Sequence, residues 1–397
     1  MPVLNTLADA KEEVAGWRRH LHAHPELMYE VHATAAYVAQ KLRAFGCDTV
    51  VEGLGRTGVA ALIRGHHGQG GEPADDGPVR TIALRADMDA LPILETTGKE
   101  HASTVPGVMH ACGHDGHTAM LLAAARHLAE TRSFAGNVVV VFQPAEEGGA
   151  GAKAMIDDGL LERFGIGEVY GMHNYPGLPV GHFALRSGPI MASADRITIT
   201  VTGVGGHAAR PHLCADPVVA AAHIILAVQT VVSRNVDPLE SAVVSLTMVH
   251  GGETDNVIPQ SVSIGGTVRT LKPQMRDLVE ERLAHVVATT AAALGVTAQF
   301  DYSRDYPVVV NDAGRARLAA QVAAEIVGPG RVDAEMVPVM GGEDFAFMLE
   351  ARPGCFIFTG NGEDSANLHN PDYDFNDEAI PVGASYWVRL AETALAR

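Results

Sequence analysis

Lysine is scarce in this chain of 397 residues, occurring only at Lys11, Lys41, Lys99, Lys153 and Lys272. With 29 basic against 47 acidic side chains, the formal charge is −18. Clustered cations are what grip phosphates and anionic lipid surfaces, so neither nucleic-acid binding nor polybasic membrane attachment is expected. Cysteine is sparse too, and four thiols (Cys47, Cys112, Cys214, Cys355) in so long a chain do not make a disulfide scaffold. No stretch approaches the ~20 uncharged apolar residues of a membrane span. Residues 1–13 are polar with a helical pattern and lack the charged-then-apolar run of a secretory signal. The expected setting is the cytoplasm, with thiols reduced. What remains is an ordinary globular mixture, 47% hydrophobic and 19% charged. It excludes a disordered chain, and its length favours two domains.

Residues 10–44 show apolar side chains at helical spacing, interrupted at His24-Pro25. Residues 58–64 and 79–85 read as short β-runs flanking a Gly-, Asp- and Pro-rich hairpin tip at 65–78. Residues 116–130, rich in Ala and Leu, predict a helix. Residues 138–142 form the continuous β-branched run of a strand buried on both faces, and 168–172 and 355–359 read the same way. Strands alternating with helices predict an α/β domain with a largely covered sheet. Near Ser187 the pattern changes to strict alternation (195–203), a long apolar helix (217–232), two strands (241–250, 262–270) and a helix (274–294). That β-α-β-β-α order predicts a smaller α+β domain inserted into the first, whose pattern resumes after about Tyr306.

Four of the strand-like runs end in metal-competent side chains. Residues 81–84 lead to Asp87 and Asp89, residues 138–142 to Glu146-Glu147, residues 168–172 to His173, and residues 355–359, after a loop, to His369. In open α/β sheets, ligands sit beyond the carboxyl ends of the strands. A fifth segment, His110-Ala-Cys-Gly-His-Asp-Gly-His117, places Cys112 and His114 two apart across a glycine, so this pair reads as a loop ahead of a helix whose positive end faces it. Thiolate, imidazole and carboxylate together suit Zn, Mn, Co or Ni better than Ca or Mg. Cys47, Cys214 and Cys355 read as packing, His66 and His67 as surface. His20, His22 and His24 lack an accompanying carboxylate-rich strand end, and His110 and His117 flank the stronger pair.

These segments carry a family resemblance over nearly the whole chain. Trp17-Arg-Arg-x-Leu-His-x-His-Pro-Glu-Leu27, Arg85-Ala-Asp-Met-Asp-Ala-Leu-Pro92, Met109-His-Ala-Cys-Gly-His-Asp-Gly-His117 and Gln143-Pro-Ala-Glu-Glu147 occur in that order. Gly171-Met-His-Asn174, Gly205-Gly-His-Ala-Ala-Arg-Pro-His212, Asn256-Val-Ile-Pro259, Gly266-Thr-Val-Arg269 and Gly341-Gly-Glu-Asp-Phe345 follow. The chain resembles the metal-dependent amidohydrolases of the M20 peptidase family, in the branch of hippurate hydrolases, N-acyl-amino-acid amidohydrolases and auxin-conjugate hydrolases. The resemblance implies an α/β fold. A mixed-sheet, zinc-exopeptidase-like catalytic domain (1–186 and 303–397) would carry an inserted α+β lid and dimerisation domain (187–302). It implies two divalent ions, Zn or Mn foremost and otherwise Co or Ni, held by Cys112, His114, Glu147, His173 and His369, with Cys112 bridging. Glu146 would be the general base and acid. His207 would stabilise the oxyanion in its own or a second subunit's site, and Asn256 and Arg269 would hold the substrate carboxylate. Many other members have a ligand His where Asp87 stands here; in the Cys-Gly-His branch, His114 supplies that ligand.

The expected reaction is hydrolysis of the amide of an N-acyl amino acid by a homodimer or larger homo-oligomer. A dipeptidase or carboxypeptidase of the same family is the near alternative. A thiol hydrolase with Cys112 as nucleophile and His114 as base, or a non-catalytic metal- or carboxylate-binding protein, would be of a different class. The first leaves the strand-end Glu and His residues idle; the second has no use for a base at Glu146.

Overall fold

The computed structural model describes residues 3–66 and 79–396, so the segment expected at 65–78 lies from His67 onward outside the described residues; it is not a hairpin tip, because the flanking strands Gly58–Arg64 and Thr81–Asp87 are separated in the sheet by Asn137–Gln143, which pairs with both. Two units are present. One comprises Met1–Ile190, Val310–Val337 and Asp344–Arg397, the other Met191–Val309 and Pro338–Glu343.

The first unit is built on an eight-stranded mixed sheet. Its order is Thr49–Leu54, Gly58–Arg64, Asn137–Gln143, Thr81–Asp87, Glu168–Pro176, Gly354–Gly362, Phe183–Ala184 and Val332–Asp333. The four strands from Asn137–Gln143 to Gly354–Gly362 run parallel. Val138 to Phe142 are all buried, as a continuous β-branched run requires when helices cover both faces. The helix His114–Thr131 is buried along most of its length, which its Ala and Leu content allows. It begins at His114 rather than after it: Gly113, at φ 88° in the left-handed region, turns the chain into the first helical residue, so only Cys112 of the pair remains in the loop. The expected break at His24-Pro25 separates Lys11–Ala23 from His32–Ala44.

The second unit has a four-stranded antiparallel sheet, ordered Ala242–His250, Ser261–Thr270, Ala194–Thr202, Thr297–Tyr306. Along Ala194–Thr202, Ile197, Ile199 and Val201 point inward against Ile224, Val228, Val279, Leu283 and Val287 of the helices Pro217–Arg234 and Pro273–Ala293. Thr297–Tyr306 has no counterpart in the sequence reading, because its polar text (Gln299, Asp301, Ser303, Arg304, Asp305) suits an edge strand with few buried positions. One expectation is corrected. By length and composition Pro217–Arg234 is apolar enough to cross a membrane. Its side carrying Ala220, Ala221, Ile224, Val228 and Val231 packs into the unit's own core, while Val218, Val219 and Leu226 are exposed.

Candidate active site

Parallel register brings the strand ends together. Asp87 pairs with Gln143 and Arg85 with Gly171, so the residues after Asp87 and Gln143 leave the sheet at the edge where His173 lies on Glu168–Pro176, a strand that continues beyond them paired with Gly354–Gly362. Beyond Gln143 the chain turns through Ala145, whose φ of 54° is left-handed without a glycine, a conformation that costs on the order of 1 kcal/mol. This turn delivers Glu146 and Glu147. Their backbone N–H groups donate to the two oxygens of Asp89, at 2.9 and 3.1 Å, so one carboxylate fixes where both glutamates start. His369, also at positive φ (63°), is tied by its own N–H to the carbonyl of Ala111 (2.8 Å), next to Cys112.

The donor atoms of Cys112, Glu147 and His369 lie within 4.8 Å of one another, as do those of His114, Glu146 and Glu147 and those of Asp87, His114, His117 and His173. Cys112 Sγ is 3.3 Å from His173 Nε2, and His369 Nε2 is 3.2 Å from Glu147 Oε1. Sulfur, imidazole and carboxylate groups from five segments of the first unit thus share one pocket. Hydrogen bonds decide which nitrogens face it. His114 donates from Nδ1 to the carbonyl of Asp89 (2.8 Å), leaving Nε2 buried with no hydrogen-bond partner among the described residues. His173 donates from Nδ1 to the carbonyl of Asn174 (2.7 Å), leaving Nε2 toward Cys112. A ligating histidine commonly anchors its second nitrogen in this way, so these residues fit a soft-to-borderline divalent metal. His117 differs: Nδ1 donates to Asp87 Oδ1 (2.6 Å) and Nε2 accepts from the Asn174 N–H (2.9 Å), so both nitrogens are engaged. Asp87 is likewise committed, Oδ1 to His117 and Oδ2 to Arg85 (2.7 Å).

The electrostatics reflect a crowd of anionic donors. Burial, reinforced by Glu147, Glu146 and Asp87, pushes the Cys112 thiol up. Burial disfavours charge on His114, but Asp87, Asp89 and Glu147 outweigh it and raise the ring to about 10. Burial and the neighbouring His117 push His173 down. Burial would raise Glu147, yet His369 and His114 hold it below the usual range.

Around this pocket lie groups that sequence reasoning left unassigned. Buried Arg85 donates to Gln143 (2.8 Å), Asp87 (2.7 Å) and Asp344 (3.0 Å), and Asp344 also accepts from Gln143 Nε2 (2.8 Å) and the Ala152 N–H (2.9 Å). His22 does have a carboxylate after all: its Nδ1 lies 2.8 Å from Asp115 and its Nε2 3.3 Å from Glu95, while Arg18, one turn earlier, joins Asp115, Asp374 and Asp377. Nothing local to residues 17–24 signals this, because the partners lie far along the chain.

Three further expected site residues belong to the second unit. His207 pairs with Val257, and the Ala208 N–H donates to the carbonyl of Asn256 (3.0 Å), so His207 and Asn256 are neighbours. His207 Nδ1 accepts from the Ala209 N–H (3.1 Å), which leaves Nε2 as the nitrogen that carries the ring proton. Arg269 donates to Thr267 and to the carbonyl of Val268, and among the described residues no carboxylate lies within ion-pair distance of it.

Residues 83–393 match the model of the peptidase family M20/M25/M40. The chain belongs to the M20 family. It is 42% identical over 387 residues to the N-acetyl-L-cysteine deacetylase of Bacillus subtilis, covering 96% of this chain and 88% of that protein. It is 40% identical over 391 residues to the hippurate hydrolase of Campylobacter jejuni, covering 98% and 99%. Among solved structures, the YXEP protein of Bacillus subtilis, described as a dinuclear metal binding peptidase of the M20 family, superposes with a TM-score of 0.82 at 36% identity, over 98% of this chain and 99% of that one. This M20 protein is therefore an enzyme, a metal-dependent amidohydrolase with the mixed α/β architecture of its family.

Proposed function

We propose that this M20 enzyme hydrolyses the amide bond of N-acyl amino acids of the hippurate type. The observation that carries the reading is the paired glutamate turn, in which Asp89 fixes Glu146 and Glu147 beside a Cys-His donor cluster. The names of the relatives, a deacetylase of an N-acetyl amino acid and a hippurate hydrolase, support the substrate class. Cys112, His114, Glu147, His173 and His369 would hold two divalent ions, zinc or manganese foremost. When bound, such ions polarise the amide carbonyl and lower the pKa of water from 15.7 toward ~7. Glu146 takes the proton from the attacking water and passes it to the leaving amine. His207, proton on Nε2, donates to the developing oxyanion, and Asn256 and Arg269 grip the carboxylate of the amino-acid portion, Arg269 through a two-pronged bond. In this reading residues 1–186 and 303–397 are the catalytic domain and 187–302 a lid through which a cytoplasmic homodimer or larger oligomer forms.

A thiol mechanism is disfavoured, because a nucleophilic cysteine is activated by a lowered pKa and burial among carboxylates drives Cys112 the other way. The deciding experiment is a hydrolysis screen of N-acyl amino acids (acetyl, benzoyl, indole-acetyl and longer acyl) and of dipeptides, using stripped protein supplemented with Zn, Mn, Co or Ni. Turnover of an acyl amino acid only with metal is the expected result; preference for dipeptides would shift the reading to a dipeptidase.

A further inference from the structure

The residue after His173 touches both the Cys112–His117 segment and the loop that follows His369. Asn174 is fully buried on the strand Glu168–Pro176. Its side-chain amide donates from Nδ2 to the carbonyl of Cys112 (2.6 Å), and its Oδ1 accepts from the hydroxyl of Tyr373 (2.8 Å), itself buried in the loop that follows His369. Its backbone carbonyl accepts from His173 Nδ1, and its backbone N–H donates to His117 Nε2. The chain between Cys112 and His114 lies flush against it: a Cβ on Gly113 would stand 2.4 Å from Asn174 Nδ2 and 2.5 Å from the Tyr373 hydroxyl. Gly113 therefore serves both a left-handed turn and a close approach. An aspartate at 174 would meet the Cys112 carbonyl with an acceptor, and a serine could not span from Cys112 to Tyr373.

We infer that Asn174 is a positioning residue. It sets the separation of the Cys112–His114 segment, His173 and the His369 loop, the groups that would hold the two ions. This inference rests on the ligand reading given under the proposed function. Its side-chain bonds tie the Cys112 segment to the His369 loop, and its backbone fixes the ring of His173.

The test is a Co²⁺ titration of stripped wild-type, Asn174→Ala and Tyr373→Phe proteins, following the thiolate-to-cobalt absorption band together with stoichiometry and affinity. Outer supports of metal ligands typically govern affinity by 10- to 100-fold. Asn174→Ala is expected to weaken Co²⁺ binding by about that factor and to alter the thiolate band. Tyr373→Phe, which removes only a hydroxyl, is expected to weaken the second equivalent by roughly 10-fold and spare the first. Should Asn174→Ala fail to fold, as judged by circular dichroism, Tyr373→Phe and Asn174→Ser carry the test. Wild-type affinities and an unchanged band in the folded variants would overturn the inference. Absence of a thiolate band from the loaded wild-type protein would instead overturn the ligand reading on which it rests.

Discussion

Replacing Arg85 by methionine probes the polar core beneath the pocket. Arg85 is buried and bonds to Asp87, Gln143 and Asp344, which are themselves buried. Removing one partner of a buried ion pair costs about 3–5 kcal/mol, because the remaining charge is stranded. Two carboxylates are stranded here, yet Asp87 keeps His117, and Asp344 keeps Gln143 and the Ala152 N–H, so the cost belongs in that range rather than at twice it. At roughly 2–4 °C per kcal/mol for a unit of this size, the midpoint of thermal unfolding should fall by roughly 6–20 °C. The pH dependence has a definite sign. Burial opposes ionisation of Asp87, but His114, His117 and Arg85 hold its pKa well below the usual carboxylate range. Its contribution is therefore complete above about pH 4 and lost as pH falls through the lowered value. The gap between wild type and Arg85→Met should accordingly narrow as pH falls toward the lowered wild-type value, because Asp87 in the variant has lost one of the cations that hold it down and takes up its proton first. Adding Asp87→Asn and Asp344→Asn to Arg85→Met should recover much of the loss. Differential scanning calorimetry across pH 3–8 measures all of this, and a loss below about 1 kcal/mol, the scale of an exposed pair, would refute the reasoning.

Glu146→Ala should retain its metal by elemental analysis while kcat falls at least ~100-fold, the scale of a lost proton-transfer group; near-native turnover would remove Glu146 from the mechanism. Burial lowers His22, but Asp115 and Glu95 outweigh it and raise the ring to about 9, so the stabilisation, on the order of 3 kcal/mol, is complete below pH ~6.5 and fades as pH rises through about 9. In urea titrations the advantage of wild type over His22→Leu should follow that profile, and a constant difference from pH 6 to 10 would contradict it. Chelation should abolish turnover and added divalent metal restore it, whereas alkylating reagents should leave the metal-loaded enzyme active because Cys112 is buried; inactivation by alkylation with indifference to chelators would revive the thiol route.

Much of the architecture is legible in the text because its strands are either continuously apolar or strictly alternating. The run Val138 to Phe142 and the alternation from Asp195 to Val201 each name their own surroundings. The candidate donors are legible for a related reason: Glu146-Glu147 and His173 follow apolar runs directly, and parallel strands put such positions at one edge. What escapes is long-range polar pairing. Asp89 grips two amides at Glu146 and Glu147, His22 finds Asp115, and Asp344 caps Arg85, each across many residues and without a periodic signal. The strand Thr297–Tyr306 escapes because it lies at the sheet edge, where Ala298, Phe300 and Tyr302 are only partly buried against the core and polar residues stand between and after them.

The strand order has a temporal consequence. Gly354–Gly362 seals the side of Glu168–Pro176, yet the entire second unit is synthesised between them. At ribosomal speeds of about 5–20 residues per second, a nascent chain carries an unsealed apolar edge and an incomplete set of donors for roughly ten to thirty-five seconds. Fragments ending before residue 354 should therefore clump rather than work slowly, and shielding that edge becomes a requirement of the cell that makes the enzyme.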